Sequence, residues 1–254
     1  MDNIDIAAGG IGLLPDRPEY PDRALRKVLF IACELFSIFS VIYFCASGET
    51  DRILLCAVTI VLVTVPGMAE RIFNCRISTW LYVLCLMYAL GAMLGHSYKF
   101  YYLFPGWDKL LHFTAGVVFA ILGAFLTGII DKENKQNLFM KAAFALCFSM
   151  AVAVAWEFFE YGMDFFFGMD MQNDTVVSSI NSYLLGPEMG VLGSIGSIDS
   201  VLVNGKAMPG YIDIGLIDTM TDMLLESLGA LVYVVIFLLD RERHPAIIMR
   251  QPVN

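Results

Sequence analysis

The sequence predicts an all-α, polytopic membrane protein: about six transmembrane helices, both termini cytoplasmic, and a long outer loop between helices five and six. Three observations predict it. Hydrophobic residues make up 58% of the chain, charged residues only 16%, and mean hydropathy is +0.68, whereas a soluble domain carries about 25% charged residues. Six nearly uncharged stretches are long enough to cross a bilayer, which takes about 20 residues. The lysines and arginines also segregate by loop, as they do in membrane proteins that obey the positive-inside rule.

The spans fall at 28–47, 53–70, 77–97, 109–130, 139–163 and 217–239. Residues 1–27 form a polar tail, acidic and proline-rich (Pro15, Pro18, Pro21), that reads as disordered. It lacks the short basic start and small-residue cleavage site of a signal peptide, so the first span reads as a retained anchor. Residues 28–240 form one membrane domain, in which 165–216 is an outer loop or lid, and 241–254 form a second cytoplasmic tail.

Basic residues decide the orientation. Arg17, Arg23, Arg26 and Lys27 precede the first span, and Arg71 and Arg76 lie between the second and third. Lys132, Lys135 and Lys141 flank the connection from four to five, and Arg241, Arg243 and Arg250 follow the sixth. The alternate side has Arg52, Lys99, Lys109 and Lys206. The richer side is cytoplasmic. A formal charge of −9 excludes a nucleic-acid partner, which needs a basic face. The six cysteines lie in or beside spans without C-x-x-C spacing, so they read as apolar packing residues.

The candidate site comes from acids at one end of three spans. Asp108 and His112 lie on the fourth, Glu157, Glu160 and Asp164 on the fifth, and Asp218, Asp222 and Glu226 on the sixth. An ionisable group within a span costs roughly 2.5–3.5 kcal/mol even on lenient insertion scales, so such a group implies a use. Helical spacing places each set on one face. The predicted orientation makes Asp108, Asp164 and Asp218 an outer layer, with His112, Asp222 and Glu157 or Glu160 beneath it and Glu226 deeper. Lys109 projects about 100° from Asp108 on an ideal wheel, which makes it a doubtful partner. The repulsion among the acids can be relieved by a bound cation, by shared protons or by hydration.

Each residue also has a plainer reading. Asp108 and Asp218 can be helix caps, and His112 can be satisfied by a neighbouring carboxylate. Glu157 and Glu160 can be the wet end of their helix, and Trp156 an interfacial belt residue. Glu34 is isolated in the first span, and His96 marks the end of the third. Ala115, Gly116, Ala120, Gly123 and Ala124 suit close helix packing. In the long loop, Phe165-Phe166-Phe167 reads as an interfacial anchor. Asn204-Gly205 between apolar residues predicts a short hairpin over 201–208.

Three blocks carry a family resemblance: Trp107-Asp108-Lys109-Leu110-Leu111-His112-Phe113, Trp156-Glu157-Phe158-Phe159-Glu160, and Asp218-Thr219-Met220-Thr221-Asp222. With Asp164, Gly168, Met171-Gln172 and Gly229-Ala230, residues 77–240 resemble the YjdF-like family of bacterial inner-membrane proteins. A fainter similarity to VanZ-like proteins rests on the D-K-x-x-H-F string and the D-x-x-x-D…G pattern. The resemblance implies a multi-pass protein of the bacterial plasma membrane and supplies no reaction. The VanZ-like Glu and Gln-Arg pattern is replaced here by the Trp-Glu block and the long loop, so a glycopeptide role does not carry over.

Three functions compete. The first is a divalent metal site formed by His112, Glu157, Glu160, Asp218 and Asp222, with Asp108 and Asp164 above it. Mg²⁺, Mn²⁺, Ca²⁺ and Zn²⁺ are the candidates, and an envelope lipid or polyprenyl compound the candidate substrate. The second is a proton- or cation-coupled transporter. The third is a non-enzymatic envelope or assembly protein whose buried acids are structural. The lipid bilayer is the one partner common to all three.

Overall fold

The computed structural model describes residues 22–130, 137–239 and 248–250. Its six long apolar helices are α1 (Arg23–Ser47), α2 (Thr50–Ile72), α3 (Thr79–Ser97), α5 (Trp107–Ile130), α6 (Leu138–Phe167) and α7 (Leu216–Leu239); a single short turn, α4 (Phe100–Leu103), precedes α5. The all-α polytopic class is therefore as expected. Two boundaries move by more than three residues. The first helix starts at Arg23, not residue 28, and the fifth span runs on to Phe167, so the long loop begins at Gly168. The disordered tail expected over 1–27 lies, up to residue 21, outside the described residues, as does most of the expected tail 241–254.

The chain divides into two compact units, Met1–Pro105 with Arg243–Asn254, and Gly106–Glu242. In the first, α1, α2 and α3 pack together around Phe44, Cys56 and Met93. Arg26 explains the early start of α1. Its guanidinium lies 2.8 Å from Glu70, contacts the Ile77 carbonyl at 3.4 Å and sits 4.2 Å over the Tyr82 ring. A cation so neutralised and stacked can stay buried inside a helix end. Glu70 also accepts the Ile77 N–H at 2.9 Å, which fixes strand β1 (Cys75–Ile77). That strand pairs antiparallel with β8 (Ile248–Arg250). Cysteine thiols serve as packing groups here: Cys56 is buried, with its Sγ 3.7 Å from Ser97 Oγ.

The second unit is a three-helix bundle, with α5, α6 and α7 in mutual contact. Asn137 starts α6, its side chain accepting the Met140 N–H at 2.9 Å. The small-residue face of α5 brings backbones together, as expected. A Cβ on Gly116 would lie 1.9 Å from the Glu226 carbonyl oxygen, and one on Gly229 2.1 Å from the Phe113 carbonyl oxygen. Only glycine permits this reciprocal approach. Ser149 on α6 adds a hydrogen bond to the Gly116 carbonyl at 3.1 Å.

Between α6 and α7 the chain forms three short ladders. Strands β2 (Val176–Val177) and β7 (Tyr211–Ile212) make a stem. Strands β3 (Ile180–Ser182) and β4 (Gly193–Ile195) make one arm, and β5 (Val201–Val203) and β6 (Lys206–Met208) the other. The second arm is the hairpin predicted from Asn204-Gly205, where both residues have positive φ.

Candidate functional site

The first turn of α5 and the N-terminal half of α7 meet just below the long loop. The close approach at Gly116 and Gly229 keeps these helices near enough for short side chains to touch. Lys109 Nζ lies 2.5 Å from Asp218 Oδ1, 2.7 Å from Asp222 Oδ1 and 3.2 Å from Asp108 Oδ2. This corrects the expectation that Lys109 is a doubtful partner. The wheel angle separates Cβ directions, but a four-carbon stem swings its ammonium back over Asp108 while reaching α7. Asp108 accordingly spends its carboxylate on this ion pair, not on capping backbone N–H groups. Asp218 likewise serves the site: its second oxygen accepts the Asn173 N–H at 3.0 Å and the Asn173 side-chain amide at 3.3 Å.

One turn deeper stands His112. Its Nε2 lies 3.7 Å from Asp108 Oδ1 and 3.7 Å from Asp222 Oδ2, the oxygens turned away from Lys109. Its Nδ1 faces Glu226 Oε2 at 3.9 Å. These separations exceed hydrogen-bond range. Asp222 is 1% exposed and Glu226 2%, and Glu226 Oε1 has no hydrogen-bond partner among the described residues. Asp108, His112 and Asp222 each present one ligand atom, and all three atoms lie within 4.8 Å of one another.

The carboxylates of α6 border this group. Glu160 is buried and accepts the Trp156 indole N–H at 2.8 Å. Trp156 is thus more than a belt residue, since it holds an acid of the site. Glu157 is 4% exposed, stands beside Thr219 and Gln172, and leaves its Oε2 without a partner. Asp164 turns away from the cluster into the loop and accepts the N–H groups of Met171 at 2.6 Å and Gln172 at 2.9 Å.

The six spans, but for the first four residues of α1, and all three acidic blocks lie within residues 27–243, the segment matched by the family described as predicted membrane protein (DUF2238). The chain belongs to the DUF2238 family. No curated protein and no solved structure matches this DUF2238 chain.

Several residues of the DUF2238 site are missed by sequence reasoning. Lys109 is one. Asp213 is another: it accepts the Thr175 N–H at 2.8 Å and the Ile217 N–H at 2.7 Å, so it, not Asp218, caps α7. Gly215 occupies the position just before α7, so the usual capping signal is absent and Asp213 acts from two residues further back. Asn173 and Gln172, the latter bonded to Thr219, sit in a polar loop with no periodic signal. Together Asp164, Asp213 and Asp218 hold segment 171–175 as a strap through its backbone N–H groups. Outside the spans, Asp174 has its carboxyl raised above the usual range by desolvation and by Asp170, Asp213 and Asp164.

Proposed function

We propose that this DUF2238 protein is a multi-pass protein of the bacterial plasma membrane whose outward acidic pocket binds one divalent cation through Asp108, His112 and Asp222. The observation that carries the reading is how the two carboxylates divide their oxygens. One oxygen of each is held by Lys109, and the other faces His112 Nε2 across 3.7 Å without a hydrogen bond. Ligands about 2.0–2.2 Å from one metal stand about 3.0–3.4 Å apart, so the two contacts of His112 are a few tenths of an ångström too long, and the whole set, within 4.8 Å, has to draw together on a bound ion. Glu226 Oε2, 3.9 Å from Nδ1, stands on the side from which a carboxylate commonly orients a metal-binding imidazole, and has to close on the ring to do so.

One imidazole with two carboxylates suits Zn²⁺ or Mn²⁺ above Mg²⁺ or Ca²⁺. The charge-sorted loops and the YjdF-like blocks support a site facing away from the cytoplasm. Three protein ligands leave a position for water, and metal-activated water against an envelope lipid or polyprenyl substrate is chemistry the location permits. Glu160, held by the Trp156 indole, is the carboxyl on α6 proposed as a base for such chemistry.

Metal analysis of the purified, detergent-solubilised protein after incubation with Zn²⁺ or Mn²⁺ tests the reading. About one bound equivalent is expected, lost in His112→Gln and Asp222→Asn and kept in the loop variant Glu188→Gln. Wild-type protein that binds no metal would sink it.

A second reading, proton or cation translocation, draws support from Glu226, which lies one turn deeper than Asp222 with an unpartnered oxygen. Ion flux in proteoliposomes that Glu226→Gln and Glu157→Gln both abolish would favour it. If the protein neither binds metal nor moves ions, Lys109 is the pocket's own counter-ion and the acids are structural.

A further inference from the structure

The first arm of the long loop ends in a tip that differs from the rest of the segment. Tyr183 is 67% exposed, Leu184 95%, Met189 103% and Leu192 53%, with Leu185 and Val191 also exposed. Such apolar exposure on a mobile strand would be unremarkable, but this turn is built. The Leu184 N–H is held by Ser182 Oγ at 3.1 Å, the Gly186 N–H by the Tyr183 carbonyl at 3.3 Å and the Val191 N–H by the Glu188 carbonyl at 3.1 Å. Its two limbs touch backbone to backbone: a Cβ on Gly186 would lie 1.9 Å from the Val191 oxygen, and one on Gly193 2.2 Å from the Leu185 oxygen. A rigid turn with its large apolar side chains outward is a surface made to be covered.

We propose that the tip Tyr183–Leu192 inserts into the bilayer leaflet at the loop end of the helices and anchors the loop there. Continuity argues for lipid as the occupant. Both ends of the loop leave membrane-spanning helices, at Phe167 and Leu216. At those exits Phe165, Phe166, Phe167, Ile214 and Leu216 are exposed as well, so both ends of the loop start from apolar surface suited to lipid. One tyrosine, three leucines, a valine and a methionine suit the interface, where the tip's single charge, the exposed Glu188, can stay among the headgroups. From Gly168 to Gly205 the loop has no lysine or arginine. Insertion is therefore apolar, needs no anionic lipid and is insensitive to salt. This inference does not depend on cation binding.

The experiment places a photo-crosslinking benzoylphenylalanine at Leu184, at Met189 and, for comparison, at the exposed Asp199. Full-length protein is reconstituted in phosphatidylcholine–phosphatidylethanolamine vesicles, with gel filtration confirming that each variant folds. Lipid adducts at 184 and 189, absent at 199 and unchanged in high salt, are the expected result. Adducts to a second copy of the chain, or no lipid adducts at either 184 or 189 in a folded variant, overturn the proposal.

Discussion

Lys109 sets the electrostatics of the site at the level of single residues. Three carboxylates converge on its ammonium, so removing it leaves Asp108, Asp218 and Asp222 to repel one another in a poorly hydrated setting. Breaking a buried ion pair costs about 3–5 kcal/mol, and partial exposure of Lys109 reduces that to about 1–3 kcal/mol. Lys109→Met is expected to lower thermal stability in detergent accordingly, and Lys109→Met with Asp218→Asn to recover part of the loss. The acids were legible because ionisable groups in apolar spans stand out by cost alone. Lys109 was not, because a wheel records where a side chain leaves the helix and says nothing of where a long one ends. Arg26 was hidden for a related reason: its partner Glu70 lies in another helix, and only contact makes its burial tolerable.

At the scale of elements, the crossing of α5 and α7 positions the chemistry. Gly116 and Gly229 each meet the opposite backbone, so no side chain fits without the helices parting. Overpacking costs about 1–3 kcal/mol, and Gly116→Ala and Gly229→Ala are each expected near the upper end, read as a fall in unfolding temperature. Both are also expected to weaken any cation bound by His112 and Asp222, since those ligands come from the two helices being separated. Small residues at helical spacing made the close contact predictable, and Asn204-Gly205 made the second arm predictable. The first arm, the stem and the Asp213 cap were not. Their strands are two or three residues long, too short for an alternating pattern, and the Asp213 cap is tied to Thr175, 38 residues away in the chain.

For the whole molecule, length and hydropathy revealed the six spans, because a bilayer imposes both on any crossing helix. An even number of crossings returns the chain to the side on which it started. Strand β8 pairs with β1 in the connection between α2 and α3, and charge sorting predicts one face for both. Cysteine introduced at Lys206 is expected to react with an impermeant reagent added to intact cells, whereas one near the C-terminus is expected to react only after lysis. Labelling in the opposite sense would invert the orientation. The strap adds a consequence of its own. Asn173 donates its backbone N–H to Asp218, Asp218 holds Lys109, and Lys109 holds both Asp108 and Asp222. Whatever redistributes charge at the bottom of that chain alters the tension on one amide at the top. Hydrogen exchange at Asn173 therefore makes the loop a gauge of pocket occupancy: its rate is expected to shift on adding Zn²⁺ or Mn²⁺ to the wild type, and to stay fixed in Asp222→Asn.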